Sequence, residues 1–88
     1  MLMKRSVIEI VNEILQLEGN KKTEIMYKTA LTYPQAMRYI SALADRSLLN
    51  STKDERGRDI YHVTDLGREL SGHIDVVINL LGLGESLN

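Results

Sequence analysis

The sequence predicts an α+β fold, mostly helical, in the order helix, helix, tight turn, helix, hairpin, helix. Three observations carry that prediction. Helix-start signals of the capping type precede apolar rows at helical spacing. Two short strand-like runs flank a charged turn that holds one glycine. A final segment is apolar on most of its circumference and opens with acids.

Residues 6–18 read as the first helix. Val7, Val11, Ile14 and Leu15 form its apolar row, widened by Ile8, Ile10 and Leu17. Ser6 is placed to cap it, Glu9 completes a capping box, and Gly19-Asn20 stops it. Thr23 is the expected cap of a second, short helix to about Ala30, with Ile25 and Met26 inward. The sharpest start signal follows at Leu31-Thr32-Tyr33-Pro34-Gln35. Thr32 caps, Pro34 sits in the first turn where its missing N–H costs nothing, and Gln35 closes the box. This third helix runs to about Arg46, with Met37, Ile40, Leu43 and Ala44 on one face. Residues 48–53 and 59–63 are the strand-like runs around Asp54-Glu55-Arg56-Gly57-Arg58, and Tyr61 and Val63 should point to the core. Thr64 caps the last helix, from Asp65 to about Leu81, and Gly82 and Gly84 end it.

At 88 residues the chain is one domain at most. A chain of that size buries only about 60–65% of its unfolded surface, so a partner chain would add useful core. It has no cysteine, which excludes disulfides and thiolate metal sites and suits a reducing cytoplasm. No apolar run approaches a membrane span, and the start of the chain lacks the long apolar stretch of a secretory signal. Charge is unevenly placed. Residues 1–58 carry ten bases against seven acids, and residues 59–88 carry one base against five acids. A basic body with an acidic final segment suits a nucleic-acid-binding unit followed by a separate helix. Lys4 and Arg5 read as solvated N-terminal charges.

Two helices separated by a few residues, with the later one amphipathic, give helix-turn-helix geometry, and the hairpin after them supplies a wing. A helix fits the major groove by width, and its outward side chains near the N-terminus reach base edges. The outward side of residues 33–46 should carry Tyr33, Gln35, Arg38, Ser41, Ala42 and Asp45. Arg pairs bidentately with guanine and Gln with adenine, so Gln35 and Arg38, with Tyr33 beside them, are the candidate base readers. Lys21, Lys22, Lys28, Thr32 and Ser41, together with Lys53, Arg56 and Arg58 of the wing, are the candidate contacts to the DNA backbone or minor groove. Tyr39 is expected to pack toward the first helix, and Asp45, Asp54 and Glu55 to repel phosphate.

Thr32-Tyr33-Pro34-Gln35, Tyr39-Ile40-Ser41-Ala42-Leu43, Leu48-Leu49 and Tyr61-His62-Val63-Thr64-Asp65-Leu66-Gly67 resemble small archaeal winged-helix DNA-binding proteins. Lys22-Thr23-Glu24-Ile25-Met26-Tyr27 and the Lys4-Arg5-Ser6 start fit the same pattern, so the resemblance covers nearly the whole chain. It implies a transcriptional regulator or a chromatin-type protein that dimerises through its C-terminal helix and turns its third helix and wing to DNA. Two departures stand out. Ser47 occupies a loop position often filled by Gly, and the last helix is short beside the long coiled-coil members.

In that last helix Leu66, Leu70, Ile74, Val77 and Leu81 follow helical spacing, with Val76, Ile78 and Leu80 on a second flank. The expectation is a homodimer seam built on Leu66, Leu70, Ile74, Val77, Ile78 and Leu81, adding apolar burial to a marginal domain. The expected organisation is a winged helix-turn-helix unit at 1–64, a C-terminal dimerisation helix at 65–82 and a flexible tail at 83–88. Catalysis is not expected. Glu69 and His73 share a helix face but lack a third metal ligand, and no phosphate loop, activated nucleophile or cofactor motif is present. The expected partners are double-stranded DNA and a second copy, in the cytoplasm on the nucleoid, with no membrane and no identifiable small-molecule effector. The alternatives are an architectural chromatin-type protein, or a winged-helix protein-interaction module that does not bind DNA.

Overall fold

A computed structural model describes residues 5–82. Four helices and one hairpin are present: α1 (Val7–Leu15), α2 (Lys22–Lys28), α3 (Tyr33–Asp45), β1 (Leu49–Lys53), β2 (Asp59–Val63) and α4 (Asp65–Leu81). The expected element order and types hold throughout. The tail proposed for residues 83–88, and Lys4, lie outside the described residues.

The cap chemistry is largely as the sequence dictates. Ser6 and Glu9 exchange side-chain and backbone hydrogen bonds at the start of α1. Thr32 and Gln35 do the same at α3, and the Thr64 hydroxyl accepts from the Gly67 N–H at α4. Thr23 is not the cap of α2. The cap position falls two residues earlier, at Lys21, so the helix begins at Lys22, and the Glu24 carboxylate accepts the Lys21 N–H. An acid at the third helical position can satisfy the N-terminal donors without a capping hydroxyl.

Ile14, Leu15, Ile25, Leu31, Ala36, Ile40, Leu43, Leu48, Leu49, Val63 and Ile74 form the core, with Tyr39 and Tyr61 packed against it. Three face assignments change. Val7 and Ile8 are exposed, because α1 turns its first residues away and buries its last turn. Ala36 is buried and Ala44 is exposed, so the inner row of α3 is Ala36, Ile40 and Leu43. Both rows fit helical spacing, and the packing of α3 on the rest of the domain selects the first.

β1 and β2 pair antiparallel from Leu49 opposite Val63 to Lys53 opposite Asp59. Asn20, in the link between α1 and α2, adds a single antiparallel bridge to Tyr61. A link that contributes one bridge has no strand-length pattern to read.

α4 reaches this core through a close approach at Gly67. A Cβ there would lie 2.3 Å from the Leu48 carbonyl oxygen and 2.8 Å from a Val63 methyl. Ile74 packs into the same core at 8% exposure. Asn12 of α1 is buried opposite α4. It accepts from the Ser71 hydroxyl at 2.7 Å and donates to the Asp75 carboxylate at 2.8 Å.

Candidate nucleic-acid interface

The turn between α2 and α3 is four residues long, Thr29–Thr32, and tightly determined. Ala30 takes a left-handed backbone (φ 55°), and the Leu31 N–H closes back on the Met26 carbonyl. Arg5 crosses from the chain start to this turn. Its guanidinium pairs with Glu13 and donates to the Thr29 carbonyl at the end of α2. Arg5 is therefore a structural clamp and not a solvated charge.

With α2 fixed, α3 presents one row to solvent. Tyr33, Gln35, Arg38, Ser41 and Asp45 are all exposed, and Ala42 is half-buried. Arg38 makes no ion pair among the described residues. The Gln35 amide is engaged: its Oε1 accepts the Thr32 N–H at 3.0 Å. Bidentate pairing with adenine needs both ends of that amide. Cap and base reader are therefore competing uses of Gln35. Tyr39, expected to pack toward the first helix, is partly buried against the core. A cleft of about 400 Å³ opens along this flank, lined by Val7, Gln35, Arg38, Tyr39 and Ala42.

The wing is built by an acid. Asp54 accepts the backbone N–H groups of Arg56 and Arg58 at 2.8 and 2.9 Å and the Arg58 guanidinium at 2.9 Å. Those donors, the Arg58 N–H first, hold its carboxyl below the ordinary 3.8. Lys53 pairs with Asp59 across the strands at 2.7 Å. That contact raises the Lys53 ammonium above 10.5 and lowers Asp59 below 3.8. Of the three wing bases, Arg56 alone makes no ion pair among the described residues. Asp54, expected only to repel phosphate, shapes the turn that carries the bases.

Lys21 and Lys22 meet Arg58 around a cleft of about 360 Å³ between α2 and the wing. Lys28 lies back on the chain, donating to Asn20 at 2.8 Å. Thr32 is spent on its cap, and Ser41 is exposed at mid-helix. His62 bridges Thr52 and Glu18 at the back of the sheet. Among the described residues no group of three or more metal-ligating side chains occurs, and no helix is long and apolar enough to cross a membrane.

The seam expected on α4 splits between two faces. Ile74 belongs to the chain's own core, and Leu70 and Ile78 pack partly against it. This corrects their placement, because Gly67, Ser71 and Ile74 mark the side of α4 turned to α1. Leu66, Val77 and Leu81 are exposed, joined by Val76 and by Leu80 at 80% exposure. Missed by the sequence reading were Asn12, Ser71, the Arg5 clamp and the Asn20 bridge. Only Asn12, a polar residue amid an apolar row, gave a signal.

The family model for the winged helix-turn-helix matches residues 4–81. The chain belongs to the winged helix-turn-helix family. Among solved structures, this winged helix is similar to Sso10a-2, a DNA-binding protein from Sulfolobus solfataricus, at 28% identity and a TM-score of 0.81, over 89% of this chain and 83% of that one. It also shares its fold with the PcaV transcriptional regulator from Streptomyces coelicolor (20% identity, TM-score 0.73, 83% of this chain and 53% of that one). A third likeness is to MepR, a transcription regulator of the Staphylococcus aureus multidrug efflux pump MepA (16% identity, TM-score 0.72, 85% and 60%). The winged helix thus spans little more than half of those two regulators. No curated protein matches it.

Proposed function

We propose that this winged helix binds double-stranded DNA as a homodimer and serves as a transcriptional regulator on the nucleoid, not as an enzyme. The observation that carries the reading is the outward row of α3, where Arg38 and Ser41 stand exposed on a capped, core-anchored helix. α3 enters the major groove with Arg38 as principal base reader and Tyr33 and Gln35 near the groove edge. The wing lies along the backbone or minor groove with Arg56 leading. Lys21, Lys22 and Arg58 ring one cleft and supply phosphate contacts, with Lys28, Thr32, Ser41 and Lys53 more peripheral. The similarity to an archaeal DNA-binding protein supports the same reading.

The exposed apolar row of α4, Leu66, Val76, Val77, Leu80 and Leu81, is the proposed dimer seam. A two-fold pair would set recognition helices one turn of DNA apart, about 34 Å, and favour a pseudo-palindromic site.

A duplex-binding titration across salt concentrations tests the reading. Affinity falls steeply with salt, and Arg56→Ala lowers the slope of log K against log salt by about 0.9. Arg38→Ala relaxes base preference in a regulator and weakens all duplexes alike in a chromatin-type protein. Absence of any duplex binding at low salt and micromolar protein would leave the protein-interaction reading in its place.

A further inference from the structure

We infer that Asn12 is a positioning residue that sets the direction of α4 relative to α3, and thereby the half-site spacing the dimer accepts. The spacing consequence rests on the dimeric DNA-binding reading; the positioning itself does not.

α4 meets the domain at three kinds of contact. At Gly67 the helix backbone comes so close to the Leu48 carbonyl that no side chain fits between them. This fixes one point on the axis and leaves the helix free to swing about it. Leu70, Ile74 and Ile78 resist swinging through apolar contact, but such contact is non-directional and tolerates small rotations. Asn12 supplies what they lack. It is 7% exposed, and both ends of its amide are used, the oxygen by Ser71 and the nitrogen by Asp75. Ser71 and Asp75 lie one helical turn apart, so the amide is seated between successive turns of α4. Hydrogen bonds weaken steeply with misalignment, and a buried amide left unpaired is costly. A swing that separates Asn12 from either partner is therefore opposed, and two fixed points define a line.

The lever matters because α4 runs on past this pin. Residues 76–81 carry all of the exposed apolar row but Leu66, and any angular error at Asn12 grows along them. A buried polar side chain that fixes helix geometry at some cost in stability is a known device in helix pairs. Among the described residues the Ser71 and Asp75 side chains make no other hydrogen bond or ion pair.

The chain has no cysteine, so spin labels can be placed without background. Ala44→Cys in α3 and Asn79→Cys in α4 are both exposed sites, and a doubly labelled chain reports the α3–α4 distance within one molecule. The parent should give one narrow distance. Asn12→Leu, similar in volume and without polar groups, should broaden it or add a second population. Asp75→Ala should broaden it too, and Asp75→Asn, which keeps an acceptor, should restore it. Asp75 is exposed, so its variants keep the measurement valid where Asn12→Leu fails to fold. On duplexes whose half-site separation is stepped one base pair at a time, Asp75→Ala should cut the preference for the best spacing by about two- to tenfold, the worth of one hydrogen bond. An unchanged narrow distance in Asp75→Ala overturns the inference. A broadened distance with no duplex binding by the parent keeps the positioning role and removes the DNA reading instead.

Discussion

Ser47 holds the left-handed backbone at the end of α3 with φ 60°. A β-carbon there crowds the following carbonyl, at a cost of about 1–2 kcal/mol. Ser47→Gly should therefore raise stability by about 1 kcal/mol, after allowing for glycine's larger unfolded-state entropy, read as a higher midpoint in urea or on heating. The Ser47 carbonyl accepts from the Thr64 hydroxyl at 2.7 Å, and that bond survives the change because it uses only backbone. Gln35 offers a different separation. Gln35→Glu keeps an acceptor for the Thr32 N–H and places an acid at a helix N-terminus, so the thermal midpoint should hold or rise slightly. The same change puts a negative charge against the duplex and removes the amide donor. Duplex affinity should fall while fold stability does not; a parallel fall in both would mean the residue acts through the cap alone. At this scale the sequence spoke clearly wherever chemistry is local. Ser6, Thr32 and Thr64 declared themselves as caps because their partners lie three residues away. Arg5 and Asn12 could not, since Arg5 reaches Thr29 and Asn12 reaches Ser71 and Asp75 across a distance only the fold creates.

The wing is the element whose behaviour depends most on pH. Asp54 and Asp59 are both held below the ordinary carboxylate value of 3.8 by hydrogen-bond donors and a paired cation. A carboxyl that binds protons less readily when folded stabilises the fold above that value and loses its contribution as pH falls through it. Lys53 runs the other way: its raised value stabilises below 10.5, and the contribution fades as pH climbs past it. The wing turn should therefore loosen below about pH 4 while the helices persist, seen as early loss of amide protection at Arg56 and Arg58. Asp54→Asn should flatten that acid step. Lys53 is exposed and Asp54 and Asp59 are half-buried at the surface, so the effect is local and salt-sensitive. The hairpin was readable from its turn composition and two strand-like runs. Its internal pairing was not, because four charges in a short turn, flanked by Lys53 and Asp59, allow several partners and only register decides. Lys53 opposite Asp59 follows from the pairing of Leu49 with Val63. The faces of α1 and α3 show the same limit. Val7 and Ile8 fit the apolar row of α1 yet lie outside the core, and Ala36 and Ala44 fit that of α3 equally; the choice belongs to packing.

For the molecule as a whole, α4 is the element that looks outward. Five of its apolar side chains, Leu66, Val76, Val77, Leu80 and Leu81, remain exposed while Gly67, Ser71 and Ile74 face the core. Leu80→Asp should leave the monomer fold intact, since Leu80 touches little of it, and should shift sedimentation toward the single chain. Duplex affinity should fall with it if two recognition helices act together. Persistence of a dimer in Leu80→Asp would move the seam to another surface. The apolar excess of this helix was plain in the sequence, but its division between self and partner was not, because a helix apolar on most sides gives no phase. Arg5 has a practical bearing on how this protein should be handled. Proteolytic trimming that removes the first five residues would take away the guanidinium that caps Thr29, and the loosened joint would be the one that orients α3. Preparations clipped at the amino end should thus look well folded by helix content and yet engage duplex poorly, a defect that mass spectrometry would trace to missing terminal residues.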